Sequence, residues 1–342
     1  MSTTTAIVLV NAEKYVFLCL YTFGTIGSLL NIYIFVQKRF RIKSCSNYFL
    51  ASSVTDLFYI NSFILLQLLS LFQAQIGRSI GSTVLWCKFG SYAYFLLPCL
   101  ASTYITFASI DRFCASSSSN RLQQLSRNKI SYIVVLSIFL FWALFALHIP
   151  IAYDRVRLNP NSSTTSCTPT LSIGATVFII IDGFFYSLFN GLINPCFLIL
   201  FGLLIYRNVR HFHRRIHPNA NQIILQDNQH LIRMVVFQII ITIFLQFPFI
   251  VLYLYGIYHS TPTNSLALTF YQIFSYIARW FLSLNYCKAF YVNLCSSQTF
   301  RKLFQRKLFY WIPSTVHQLP KQSMNPRAVK TNLNSDLVLT RS

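Results

Sequence analysis

Acidic side chains are scarce in this chain. Its 342 residues include 7 Asp and Glu against 28 Lys and Arg, and charged residues of both signs total only 10%. A soluble domain usually carries about 25%, so there is too little charge to cover a water-facing surface. A nucleic-acid binder could reach the formal net charge of +21, but it would gather that charge on a soluble face and would lack long apolar runs. No zinc-ligand cluster, phosphate-cradling glycine loop or nucleophile elbow is found, which removes the familiar enzyme signatures. Neither a cofactor nor a metal is expected. No internal repeat relates one part of the sequence to another, which argues against the simplest transporter architecture. The opening MSTTTAIVLV has neither a basic region nor a small-residue cleavage site, so the first apolar helix is expected to act as the insertion signal.

What the chain has in quantity is apolar: 54% hydrophobic and 17% aromatic. Seven runs lie near 15–37, 47–72, 85–112, 130–153, 173–206, 231–256 and 266–293. Each can cross a hydrocarbon core roughly 30 Å thick, which takes about 20 helical residues. The runs are continuous rather than alternating, which favours helices over a barrel. The expected fold class is an all-α membrane protein, a seven-transmembrane helix bundle. The loops at 38–46, 112–129 and 207–233 and the tail beyond 293 hold most of the Lys and Arg. The opposite side holds Lys14, Arg78, Lys88, Arg155 and Arg157. By the positive-inside rule, the amino terminus is expected outside the plasma membrane and the tail in the cytoplasm, where the basic loops meet anionic membrane lipid. The sequon at Asn161 lies in the 154–172 loop, on the side the charges put outside, and is a glycosylation candidate.

Polar residues within the runs are expensive in a membrane, and each is a functional candidate. The first run has Asn31, the second Asp56, and the third ends in Asp111 and Arg112. The fourth has Trp142, the fifth Asp182 and Pro195, the sixth Gln246 and Pro248, and the seventh Arg279, Asn285 and Lys288. Together with Cys87 at the start of the third run, this order, spacing and sidedness resemble the rhodopsin-like (class A) G-protein-coupled receptors over nearly the whole chain. Asp111-Arg112-Phe113 looks like the family's Asp-Arg-Tyr signature, and Pro195 and Pro248 match its helix-kinking prolines. The segments DNQHLIRMVVFQIIITIFLQFPF and NYCKAFY are similar to divergent invertebrate receptors of the FMRFamide type. The chain departs from the family in three places. Gln246 stands where a tryptophan is usual, Leu203 stands where a tyrosine is common, and the Asn-Pro-x-x-Tyr motif is rewritten. Counted from Tyr291 that motif reads CKAFY; counted back from Phe300 it reads AFYVN. Both registers stay open.

The resemblance implies a disulfide between Cys87 and Cys167, and a switch in which Arg112 pairs with Asp111 at rest. It implies an internal polar network of Asn31, Asp56, Asn285 and Lys288. In the family the aspartate at the Asp56 position often holds sodium; here Lys288 either replaces that ion as a partner of Asp56 or snorkels to the inner boundary. Ligand contacts are expected from Asp182, Gln246, Phe249, Tyr271, Gln272, Tyr276 and Arg279. Arg279 would suit an acidic ligand group and Asp182 a basic one, unless the two pair with each other. Beyond Tyr291, Phe300, Leu303, Phe304 and Leu308 recur at helical spacing between Arg and Lys, as in a short amphipathic helix on a membrane surface. The expected organisation is an extracellular segment 1–14, a receptor domain 15–293, a surface helix 294–311 and a disordered tail 312–342. The expected function is a receptor for an extracellular ligand, a neuropeptide first, that activates a heterotrimeric G protein. A chemosensory receptor of the same fold and a small transporter or channel are the alternatives. No nucleic acid is expected as a partner.

Overall fold

The computed structural model describes residues 3–72, 75, 79–80, 83–117, 119–157, 165–169, 189–213, 222–258 and 264–311. Helix α1 (Thr3–Phe35) starts well ahead of the first apolar run. Helix α2 spans Ser44–Phe72 with a π turn at Ile60–Ile64, and α3 spans Trp86–Ser116, opening on a π turn at Trp86–Gly90. Helix α4 covers Asn128–Ala152. Helix α5 (Asn194–His213) continues directly from a π turn at Phe189–Ile193, so Pro195, which has no N–H to offer, lies just past that irregular turn. Helix α6 (Gln222–Tyr258) contains Pro248 in its interior. Helix α7 (Ser265–Cys287) is capped by Asn264, whose side chain accepts from the Leu266 N–H at 3.1 Å. It stops at Cys287, and α8 (Ala289–Ser296) and α9 (Gln298–Trp311) follow.

Among the described residues, α1, α2, α3, α4 and α6 are long and apolar enough to cross a membrane. Gln272, Arg279 and Asn285 dilute α7, and the expected fifth run is described only from residue 189. Among the described residues the bundle is helical apart from one antiparallel hairpin, β1 (Tyr153–Arg157) with β2 (Thr165–Pro169), in which Arg155 faces Cys167. Cys167 is disulfide-bonded to the buried Cys87 at the start of α3, with Cα atoms 5.5 Å apart. The hairpin is thereby tied to the bundle, and the expected pairing is present. The chain divides into two compact units, Met1–Leu303 and Phe304–Ser342.

Helix α3 is the central helix: 72% of its apolar window is buried, against 22% for α4 and 33% for α1 and α6. The outer helices turn large side chains such as Phe58, Phe141 and Phe244 outward, a surface suited to lipid rather than water. Inside, Phe95, Cys99, Tyr104, Trp142 and Ile149 pack α3 on α4. Near the chain's last described turn, Phe35, Phe40, Phe49, Phe290 and Phe300 meet ring to ring, with Phe300 fully buried. This cluster anchors the start of α9 against α1, α2 and α8. A third cluster joins Phe17 and Leu20 of α1 to Tyr59 of α2 and Tyr286 of α7, the two tyrosine rings stacking at 3.8 Å.

Helices α1 and α7 approach closely at Gly24, where a Cβ would come within 2.5 Å of the Cys287 Sγ and 3.1 Å of an Ile60 methyl. Cys287 Sγ in turn donates to the Leu20 carbonyl at 3.3 Å. Gly24→Ala should destabilise the folded protein by about 1–3 kcal/mol through overpacking, read as a lower melting temperature of the detergent-purified protein. Adding Cys287→Ala, which removes the nearest atom, should recover much of the loss; a strictly additive double mutant would show that the clash is absent.

Candidate functional site

Polar side chains concentrate along the bundle axis at three levels. At the centre, a cavity of about 10 Å³, room for roughly one water molecule, lies between α2, α3, α6 and α7. Asp56, Ser102, Gln246, Asn285 and Lys288 line it. Lys288 is 6% exposed. Its ammonium donates to the Asn285 carbonyl at 2.8 Å and to the Asn285 side-chain oxygen. Asn285 lies one turn back along α7, so the lysine folds back into the bundle and does not extend towards the end of α7. The Asp56 carboxylate opens on the same cavity, and the ammonium donates its hydrogen bonds to Asn285 rather than to it. Gln246, expected against a ligand, is 6% exposed and sits at this level.

Below the cavity, Asn31 donates to Ser53 at 2.7 Å and accepts from Asn293 at 3.1 Å. Gln238 of α6 donates to the Asn293 oxygen at 3.2 Å and to the Ala289 carbonyl at 3.1 Å. Asn293 is fully buried, whereas Tyr291 is 36% exposed and donates to the Phe23 carbonyl at 2.9 Å. Asn293 therefore takes the inward position, the arrangement of the AFYVN register. Asn31 belongs to this lower group; Asp56, Asn285 and Lys288 belong to the cavity above it.

A second polar ladder, between α3 and α5, was not anticipated. Ser102 donates to Asn190 at 2.7 Å and accepts from Asn194 at 2.8 Å, while Thr106 donates to Asn194 at 3.2 Å. Ser102 also lines the central cavity, so the ladder continues the polar axis to α5. The signal available in the sequence was the pair of asparagines in FNGLINP, four residues apart and hence on one helical face.

At the end of α3, Arg112 donates to Asp111 Oδ2 through Nη2 at 2.6 Å and Nε at 3.1 Å, and both side chains are buried. Ser126 donates to the other Asp111 oxygen at 2.9 Å, and Arg112 reaches Ser44 at 3.3 Å. The pair is thus held from α2 and from the segment before α4. Phe113 turns away to pack on Phe201 of α5 at 5.7 Å. At the hairpin end, Arg279 lies 3.9 Å from Glu13 of α1 and 4.7 Å over the Tyr276 ring. Glu13, 4% exposed, is a second residue sequence reasoning passed over. Tyr271 packs on Tyr255 at 5.7 Å and Phe249 on Tyr253 at 6.4 Å. Gln272 Oε1 is buried with no hydrogen-bond partner among the described residues. Asp182 and Asn161 lie outside the described residues.

A polar axis with a buried Asp-Arg pair at one end and a disulfide-tethered hairpin at the other, enclosed by long apolar helices, defines a multi-pass membrane receptor bundle. The sequence matches the family 7 transmembrane receptor (rhodopsin family) over residues 27–288. The chain belongs to that family of G-protein-coupled receptors. No individual curated protein matches it.

The shared cavity makes Asp56 and Lys288 electrostatic neighbours, and a lone charge there would be costly. Lys288→Met is expected to reduce surface expression severalfold, and Asp56→Asn in the same chain to restore most of it. Losses that simply add would show the two charges to be independent.

Proposed function

We propose that this receptor binds a neuropeptide at the hairpin end, facing outside, and activates a heterotrimeric G protein at the Arg112 end, facing the cytoplasm. The observation that carries the reading is the Asp111–Arg112 pair, buried and joined at 2.6 Å. A guanidinium tied to the neighbouring carboxylate and braced by Ser44 and Ser126 is stored, not used. Release of Arg112 from Asp111 provides a cation at the surface bordered by the basic loops, where a cytosolic partner docks. A ligand can drive that release only by binding one packing of the bundle more tightly than the other. The polar axis supplies groups able to re-pair between two packings: the central cavity, the α3–α5 ladder and the Asn31–Asn293–Gln238 group. A cavity with room for about one water fits such a rearrangement better than a conduction path.

The test is nucleotide exchange on a G protein reconstituted with the receptor and challenged with a neuropeptide library. The wild type should respond to at least one peptide. Arg112→Ala, at equal surface expression, should lose at least about tenfold of that response. Intact coupling in Arg112→Ala would remove the switch role, and solute flux through protein-only liposomes would favour a transporter.

A further inference from the structure

Glu13 is the sole glutamate of the chain. It sits on α1 facing α7, 4% exposed, and its Oε1 has no hydrogen-bond partner among the described residues. Arg279 lies 3.9 Å from that oxygen, with 45% of its own side chain exposed. Gln67 of α2 stands against the Glu13 carboxyl, and Tyr94 of α3 is within electrostatic reach of Arg279. Tyr94 is 42% exposed although α3 is the most deeply packed of the spanning helices. Tyr94 and Arg279, within electrostatic reach of each other, thus both keep accessible surface. In the α7 wall, Gln272 Oε1 and Trp280 Nε1 are buried without hydrogen-bond partners among the described residues. At the same end Lys88 is already held by Asp154 at 3.7 Å.

A guanidinium carries five N–H donors in a planar fork that matches a carboxylate in a two-bond contact. One approach at 3.9 Å to a single carboxylate oxygen leaves that fork largely unused. The Tyr276 ring, 4.7 Å from the Arg279 Cζ, supports the guanidinium through its face and uses none of its N–H donors. A cationic ligand group would meet Arg279 before it could reach the buried Glu13. An anionic group meets it with attraction and with donors to spare.

We propose that Arg279 is the recognition point for a carboxylate carried by the ligand, with Glu13 as its resident competitor. The incoming carboxylate takes the fork in two hydrogen bonds and replaces the loose Glu13 contact that links α1 to α7. The proposal deepens the receptor reading by assigning an acidic group to the ligand.

The test uses thermal denaturation of the full-length purified receptor with millimolar N-acetylphenylalanine, its neutral carboxamide, and N-acetyl-aspartyl-phenylalaninamide. The first acid presents a terminal carboxylate and the third compound a side-chain one, so their relative effect identifies the source. At least one acid should raise the melting temperature while the neutral carboxamide does not. Arg279→Gln should abolish the rise. Arg279→Lys, which keeps the charge and loses the fork, should retain only part of it. Glu13→Gln should lower the half-maximal acid concentration about tenfold by removing the competing charge. The proposal is overturned if the carboxamide stabilises equally, if neither acid stabilises the wild type, if Arg279→Gln still responds, or if Glu13→Gln weakens the effect. No G protein enters this measurement, so its failure and a failure of coupling are separate results.

Discussion

An ammonium group enclosed by a membrane-spanning bundle must be given hydrogen-bond acceptors or be neutralised, and Lys288 imposes that requirement at the centre of this receptor. Its consequences spread outward. Asn285 supplies two acceptors from one turn away, which directs the lysine inward and leaves its carboxylate neighbour Asp56 facing the same small cavity. That cavity draws in Ser102, and through Ser102 the asparagines of the α5 side. The break between α7 and α8 falls at the same residue. The helices around this polar centre are otherwise closely packed, as the stacked tyrosines and the Gly24 contact show.

The polar groups at the two ends are built differently. At the Arg112 end the charges are adjacent in sequence, buried and braced by two serines, an arrangement that holds the cation in place. At the hairpin end the two charges come from helices at opposite ends of the chain, approach only to 3.9 Å and are open on the arginine side. A tight pair opposes change, whereas a loose, half-exposed one yields to a better partner. That contrast suits a protein in which an event at the hairpin end precedes one at the Arg112 end.

Much of this architecture was legible in the residues. Unbroken apolar runs of about 20 residues leave few options besides spanning helices, and the Asp-Arg-Phe and paired-cysteine positions marked both ends. What escaped notice depended on helix rotation. Glu13 precedes the apolar run and reads as part of a polar terminus until α1 is seen to begin at Thr3. Asn190 and Asn194 are ordinary residues unless their shared face is known to meet α3. Tyr291 looks like the surviving motif tyrosine, yet the phase of α8 points Asn293 inward instead. Gly24 acquires its role only from the phase of a helix far along the chain, since it is the Cys287 sulfur that would collide with a side chain there.

The joint between α7 and α8 has a mechanical character of its own. Lys288 adopts φ −76° and ψ −25°, ordinary helical values, and its carbonyl already accepts from the Val292 N–H at 3.0 Å. A proline at a joint enforces a permanent gap, because it has no N–H to offer and its ring crowds the preceding turn. Lysine has that N–H, and at this joint its side chain folds back to donate to the Asn285 carbonyl at 2.8 Å. The joint is therefore spanned by a side-chain contact, the Lys288 ammonium on Asn285, of a kind that a proline could not supply.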